Sequence, residues 1–564
     1  MTRDFILKIV CVFLFLFSFN SISQTKNFEV TKYKKIGLVW GLLKYHHSEV
    51  SKGKYDWDVE FVTLCNLAEE IQSEERLNEL LYIFANKYKN KSEEKKRKNN
   101  SEKIFLKNSD YSWINNENFG NELTTLLLSI KDNENVSDYY ASINKISKQL
   151  YFANEKGFKE FDYKIKSHRL LLLNNFWNMT QYWNVNKYLM DVKWLDHLDL
   201  FTEEFINCES KLEFEIIKSK LISKLNDSHS FYCSHTVNDS LYKFKPVFNT
   251  ININDSLVVN YIYNKKLAEK DNIEIGDVIY KINNKSIKSN LDEKLLPLLS
   301  VSNSTFLRRW SNWLFFNNLD TLNIDIIKKS NSQRTNKIIH LYNDFKDEQA
   351  ESMLNTINNK WALIKPDIGY VNLSQITNAE LSIVFKEFSN TKGIIVDLRN
   401  YPKNISNEDI AKYLYPEKKN FIKVLFPIKN KPSIGEFGGN SVLYKLVNPF
   451  YAGGKNQNYY KGRVILLVNR TTQSNAEFIG MTIQQAPTCI TIGEQTAGSV
   501  MNVVKFIMTD MTSINFTGLG AFYPDGQNVQ RDGLKIDYYI KGSAIKYDTK
   551  LYIDEAIKLI EKNN

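Results

Sequence analysis

The sharpest pattern of apolar and polar positions lies between Val464 and Ala486, V-I-L-L-V-N-R-T-T-Q-S-N-A-E-F-I-G-M-T-I-Q-Q-A. The opening five residues are apolar, β-branched or leucine, which predicts a buried strand. From Asn475 onward, Phe478, Ile479, Met481 and Ile483 mark a helix. Ser474 stands where a short polar turn becomes that helix. Serine is a common N-cap residue. The same place suits a nucleophile, because the first helical N–H groups lack internal partners and the helix dipole favours negative charge there. Neighbouring N–H groups are then available to hold an oxyanion.

Elsewhere the pattern divides the chain. From Asn27 to Asn226 it is helical, with Ile36, Val39, Trp40, Leu43 and His47 at i, i+3, i+4 spacing. It also echoes itself. Trp40 is followed by Tyr55-Asp56-Trp57-Asp58, and Phe176-Trp177 is followed by Trp194-Leu195-Asp196, so a duplicated helical hairpin is expected. Lys89 to Asn135, rich in Asn, Lys, Ser and Glu, reads as an irregular insertion. From Phe244 to Tyr342 short β-rich runs take over. Ile251 to Tyr263 has strand character, Phe306 to Phe316 is aromatic and helix-like, and Leu322 to Ile327 and Lys337 to Leu341 are closing strands. Within this region Ile273 to Lys285, I-E-I-G-D-V-I-Y-K-I-N-N-K, resembles the core of PDZ domains, which bind an extended peptide as an added strand. That likeness makes Ile275, Gly276 and Asp277 candidate substrate-binding residues.

From Asp367 strands and helices alternate. Ile368–Leu373, Gly393–Arg399, Ile465–Val468 and Cys489–Ile492 read as strands, and Ala379–Phe388 as a helix. This predicts an α/β layer with parallel strands. Arg399-Asn400-Tyr401, Ser474 and Glu494-Gln495-Thr496-Ala497-Gly498 all fall at carboxyl ends of strands, where such sheets place their sites.

Composition adds little to the fold but bounds the function. The 564 residues are 43% hydrophobic and 24% charged, ordinary for a globular chain. The net charge of +10 is scattered, with one solvated cluster at Glu93–Lys98 and no aromatic-interleaved basic patch, so nucleic acid is not an expected partner. At the N-terminus, Arg3 and Lys8 precede an apolar run ending at Phe17, followed by Ser21 and Ser23. This is the pattern of a signal peptide, residues 1–23, cut after Ser23. The expected mature chain is exported to the periplasm, the cell envelope or the medium, with no later membrane span. Cys65, Cys208, Cys233 and Cys489 form no metal-binding spacing, and no metal or organic cofactor is implied.

The order of these parts, with I-V-D-L-R, then S-N-A-E, then I-G-E-Q-T-A-G, then P-D-G-Q-N-V-Q-R-D-G-L-K-I-D (Pro524 to Asp537), resembles the tail-specific, or carboxy-terminal processing, serine peptidases. The likeness is strongest from Gly393 to Asp537. It implies a multidomain α+β chain: a helical N-terminal domain (27–240), a PDZ-like β domain (244–345) and an α/β peptidase domain of the ClpP/crotonase-like kind (360–560). It also implies a Ser474 nucleophile, with an oxyanion hole formed near Asn475 and the loop Tyr401-Pro402. The bacterial processing enzymes place a lysine directly after the glycine of T-x-G-K. Here Ser499 follows Gly498, and no lysine comes before Lys505. The tricorn-like branch uses a histidine in a Ser-His pair before the PDZ-like domain, and Ser228-His229 matches that position. Histidine titrates near neutral pH, as a general base must. His235 is the reserve. For the group that orients the imidazole, Gln530 falls at the branch's position and Asp532 is the nearest carboxylate. Gly498 and Ser499 are placed at the substrate. The expected activity is peptide hydrolysis on a peptide or protein substrate. The competing readings are a catalytically silent peptide-binding protein and an esterase.

Overall fold

A computed structural model describes residues 28–88, 103–132, 136–353, 360–436 and 450–562. The expected signal peptide and the Glu93–Lys98 cluster lie outside the described residues. The chain divides into two compact units. The first holds the described residues up to Ile217 together with Pro427–Gly435 and Lys505–Ile514. The second holds Lys218–Phe426, Glu436–Val504 and the residues from Asn515 onward. No described helix is long and apolar enough to cross a membrane.

The first unit is built on helices 28–46, Trp57–Ala68, Glu74–Asn86, Asn116–Lys131, Lys166–Trp183 and His197–Ile206. Asn116–Lys131 falls in the stretch expected to be irregular. It forms because Phe119, Leu123, Leu127 and Ile130 supply a buried stripe and the Asn115 side chain caps its start. The tryptophan echo has a physical counterpart. Trp40 Nε1 donates to Trp57 O (2.7 Å) and Trp57 Nε1 to Trp40 O (3.1 Å), with the rings stacked. Trp177 and Trp194 do the same at 3.1 and 3.0 Å. Each pair clasps the end of one long helix to the segment that follows it. The two long helices, 28–46 and Lys166–Trp183, touch at Gly37 and Gly41. A Cβ at Gly37 would lie 1.6 Å from Asn174 Oδ1, so only glycine permits this approach.

Two large sheets dominate the second unit. The first is antiparallel, in the order β1 (Phe248–Ile253), β2 (Ser256–Ile262), β3 (Val278–Ile282), β4 (Thr321–Ile327), β5 (Arg334–His340). The run Ile251–Tyr263 is thus a hairpin rather than one strand, turning at Asn254, where φ is +56°. The aromatic stretch splits into a short helix, Ser304–Leu307, and a tighter 3-10 run, Arg308–Phe315.

The second sheet has the order β6 (Trp361–Lys365), β7 (Ile368–Asn372), β8 (Gly393–Asp397), β9 (Arg463–Val468), β10 (Cys489–Gly493), β11 (Tyr538–Tyr539). Only β6 runs antiparallel to its neighbour. Its parallel strands β7, β8 and β9 are buried almost throughout, as expected of a sheet covered on both faces. The C-terminal helix Leu551–Glu561 covers one face, packing Ala556 and Ile560 on Ile368, Ile395, Ile465 and Ile492. Phe388, at the end of the crossover helix Asn378–Glu387, packs over Gly369 on the other. The crossover from β9 to β10 is the helix Asn475–Ile483.

Candidate active site

Ser474 occupies φ +58°, ψ −120°, a conformation that non-glycine residues rarely adopt. Such residues cost about 1–3 kcal/mol and persist only where their surroundings hold them. Here the Ser474 N–H donates to Ser499 O (3.1 Å) and to Glu477 Oε2 (3.3 Å). Glu477 is fully buried and collects three further donors: Thr496 Oγ1 (2.5 Å) and Gly498 N (2.7 Å) on Oε1, and Ser499 N (3.0 Å) on Oε2. Burial pushes its carboxyl up to about 7 against the pull of those donors. The glutamate of S-N-A-E therefore fastens the start of the helix to the loop after β10.

That loop is tied onward. Arg531 N donates to Gly498 O (2.7 Å) and Leu534 N to Thr496 Oγ1 (2.9 Å). Gly498 has φ +64°, and a Cβ there would lie 2.4 Å from Arg531 O. Gly498 and Ser499, expected at the substrate, instead hold the turn that carries Ser474. Both are buried, and their amides are spent on Glu477.

The loop after β8 joins the same place. Thr471 Oγ1 donates to Arg399 O (2.5 Å), Thr472 Oγ1 to Leu398 O (3.0 Å), and Asn475 Nδ2 to Pro402 O (3.2 Å). The three strand ends that were expected to converge are therefore joined by hydrogen bonds. Pro402 has no N–H and presents a carbonyl, so it is not an oxyanion donor. Asn475 and Tyr401 remain the expected donors.

His229 lies in a turn that Asp227 closes, accepting His229 N on Oδ1 (3.0 Å). The turn is sewn to residues 300–302. Asp227 N donates to Ser300 Oγ (3.0 Å), Ser300 Oγ to Asp227 O (2.9 Å), Ser228 N to Ser302 Oγ (2.9 Å) and Ser302 N to Ser228 Oγ (2.9 Å). Ser228 Oγ donates to Ala497 O (3.2 Å), and Gln473 Nε2 donates to Ser228 O (3.1 Å). The residue before Ser474 is thus bonded to the residue before His229. The imidazole is almost fully enclosed. Burial pushes it below its ordinary value, and the Asp227 carboxylate pulls it back. Its Nδ1 lies 2.8 Å from Thr517 Oγ1 and 3.9 Å from Asp227 Oδ1. Its Nε2 is buried with no hydrogen-bond partner among the described residues.

Other expected residues fall elsewhere. Gln530 is buried but meets Thr517 Oγ1 through Nε2 at 3.4 Å rather than the imidazole. Asp532 is exposed, and so are His235, at the start of a short helix, and Lys505. Asp277 is not available to a ligand: its buried carboxylate accepts Lys328 Nζ (2.6 Å), Lys329 N (2.8 Å) and Glu274 N (2.9 Å). Gly276 N donates to Val259 O, and Ile275 packs against the core, so I-E-I-G-D builds its own turn. At the outer edge of β1, Thr250 N donates to Asn312 Oδ1 (2.8 Å), and Asn312 Nδ2 donates to Thr250 O (3.2 Å). One side-chain amide makes the pair of bonds that a peptide unit of an added strand would make.

Sequence reasoning did not single out Asp227, Thr517, Ser300, Ser302 or Asn312. Asp227 alone left a signal, as an aspartate two residues before a turn histidine, the spacing of an Asx turn.

Residues 367–540 match the sequence profile of Peptidase family S41. No curated protein matches the chain by sequence. Among solved structures, mature CPAF complexed with lactacystin superposes with a TM-score of 0.53 at 11% identity, over 69% of this chain and 97% of that one. Mature CPAF alone gives 0.52 at 11%, over 70% and 97%. At that identity the likeness speaks to the fold. The profile lies over β7 to β11 and the turn that carries Ser474, so this part of the chain is a domain of the peptidase family S41 kind, the tail-specific serine peptidases.

Proposed function

We propose that this chain is an exported endopeptidase in which Ser474 attacks the peptide carbonyl and His229 is the general base. The observation that carries the reading is the bond from Gln473 to Ser228, which joins a strained serine at a helix start to the turn of a histidine whose Nε2 is buried and unpartnered among the described residues. The Ser474 Oγ proton passes to His229 Nε2 as the oxygen adds to the carbonyl carbon. The N–H groups of Asn475 and Tyr401 hold the resulting oxyanion. His229 then returns the proton to the leaving nitrogen, the C–N bond breaks, and an acyl-serine remains. Water repeats the sequence, giving its proton to Nε2 while its oxygen attacks the acyl carbon; the acyl–Oγ bond then breaks, Nε2 returns the proton to Ser474 Oγ, and the carboxylic acid leaves. The serine–histidine hydrogen bond is not made in the free protein. Such bonds often tighten only when substrate is bound. The antiparallel module is PDZ-like in this reading and receives an extended substrate segment along β1 when Asn312 gives up that edge. Export rests on the basic and apolar order of residues 3–23.

The test is cleavage of casein by the mature chain beside Ser474→Ala and His229→Ala, with labelling by a fluorophosphonate. Loss of nearly all cleavage in both variants, with folding retained, supports the reading. A wild type that neither cleaves nor labels overturns it.

A further inference from the structure

We infer that Asp227, acting through the hydroxyl of Thr517, orients His229 and supplies the negative charge that its protonated form needs. The inference rests on the reading of His229 as general base. A threonine hydroxyl has one proton and two lone pairs. Thr517 Oγ1 lies 2.9 Å from Asp227 Oδ1, and a carboxylate there only accepts, so the hydroxyl proton points at Asp227. Both lone pairs remain, and two nitrogens face them, His229 Nδ1 at 2.8 Å and Gln530 Nε2 at 3.4 Å. The Nδ1 nitrogen must therefore carry the ring proton. Nε2 keeps its lone pair and lies buried without a partner, the tautomer a general base requires.

Asp227 accepts from donors that cannot turn round. Thr517 N donates to Oδ2 (2.6 Å) and His229 N to Oδ1 (3.0 Å), beside the Thr517 hydroxyl. Its backbone is clamped in both directions by Ser300. One side chain thus closes the histidine's own turn, sets the direction of the hydroxyl and places a charge 3.9 Å from Nδ1. Gln530, at the position where the tricorn-like branch has a glutamate, is a neutral donor that steadies the hydroxyl. Asp227, Thr517 and Gln530 are positioning residues, and no proton travels along them. Around the imidazole, Thr517 and Gln530 are uncharged, and Asp227 is the charged group that acts on it.

Asp227→Asn presents an amide N–H to Thr517, reverses the hydroxyl and moves the ring proton to Nε2. We expect kcat/KM for a casein-derived peptide to fall at least 100-fold, mostly in kcat. The acid limb of its pH profile moves to lower pH, because the imidazolium has lost its partner. Thr517→Val falls comparably, and Thr517→Ser, which keeps the hydroxyl, returns to within tenfold of wild type. A merely structural role would lower the amount of active enzyme, titrated by fluorophosphonate, and would leave the pH limb in place. Should Asp227→Asn fail to fold, the Thr517 pair decides. If Thr517→Val keeps wild-type activity and pH profile while His229→Ala is dead, the relay is refuted and the base stands. If His229→Ala retains activity, the base itself is wrong and the relay falls with it.

Discussion

Gly498→Ala tests whether the loop after β10 serves the fold or the substrate. Gly498 sits at φ +64°, where alanine costs about 1–2 kcal/mol more than glycine. Its new Cβ would come 2.4 Å from Arg531 O and 2.6 Å from Arg531 C, both backbone atoms, so the two loops must part. Forcing one methyl into such a contact costs about 1–3 kcal/mol. Parting them weakens Arg531 N to Gly498 O (2.7 Å) and Gly498 N to Glu477 Oε1 (2.7 Å). The second is a bond to a buried carboxylate, of the class that contributes about 1.5–3 kcal/mol. The terms overlap, since relieving the clash is what breaks the bonds, and together they give roughly 3–6 kcal/mol. Thermal unfolding followed by tryptophan fluorescence should show a midpoint lower by roughly 5–10 °C. Fluorophosphonate labelling of the folded fraction should also slow, because Glu477 holds Ser474 N. A variant that melts with wild type and differs only by a raised KM would refute the reasoning and return Gly498 to the substrate.

Four further outcomes follow from the same geometry. Glu477 has its carboxyl raised from 4.5 to about 7, so its contribution to stability is complete below pH 4.5 and is lost as pH rises through about 7. Relative to Glu477→Gln, wild type should lose about 3 kcal/mol between pH 4.5 and 8 in urea unfolding, and parallel curves would contradict this. Trp57→Phe and Trp194→Phe each remove one indole donor from a clasp, at about 1–3 kcal/mol apiece, and the double variant should be additive because the clasps share no partner. Asn312→Ala strips the β1 edge of its internal partner. An extended peptide measured by fluorescence anisotropy should bind at least tenfold tighter, and equal or weaker binding would mean that this edge takes no strand. Gln530→Glu, which restores the branch's residue, should lower kcat/KM rather than raise it, because two carboxylates would then face one hydroxyl.

What was legible in the sequence was local. The strand, turn and helix around Ser474 could be read because a buried β-branched run, a polar turn and a helical stripe follow one another within about two dozen residues. The clasps announced themselves because tryptophans recur with the same following segment. Thr517 could not be read. It ends the strand Ser513–Thr517, and nothing near it in sequence marks its hydroxyl as the one that meets His229. I-E-I-G-D reads as a ligand site through its likeness to PDZ cores, and that likeness does not distinguish an aspartate that greets a peptide from one that closes its own turn. The three donors on Asp277 make that distinction, and one of them, Lys328, lies 51 residues away. Asn312 was hidden for a related reason. It lies in a stretch whose aromatic residues give it a helical look, and its use is decided by the strand edge it meets. The membership of Pro427–Gly435 and Lys505–Ile514 in the first unit is likewise a long-range fact that no local pattern encodes.

A single carboxylate is enough for the His229 site, and its origin in the chain is immaterial. A protonated imidazole responds to the distance of a charge and to the medium between them. At 3.9 Å and an effective dielectric constant near 20, the Asp227 carboxylate attracts it by about 4 kcal/mol, against the larger effect of burial, which pushes the ring towards neutrality. A hydroxyl between them replaces the direct hydrogen bond without removing the field, and it fixes the tautomer, because an ionised acceptor leaves it only one way to point. A second carboxylate at position 530 would set a lone pair against the Thr517 lone pair now met by an N–H. It would also place two like charges around one buried hydroxyl, which raises the pKa of one of them. The extra proton would then settle on a carboxyl rather than being exchanged with the serine. On the proposed reading, glutamine at 530 suits a site whose charge is supplied by Asp227, because its N–H meets the Thr517 lone pair that a carboxylate would oppose.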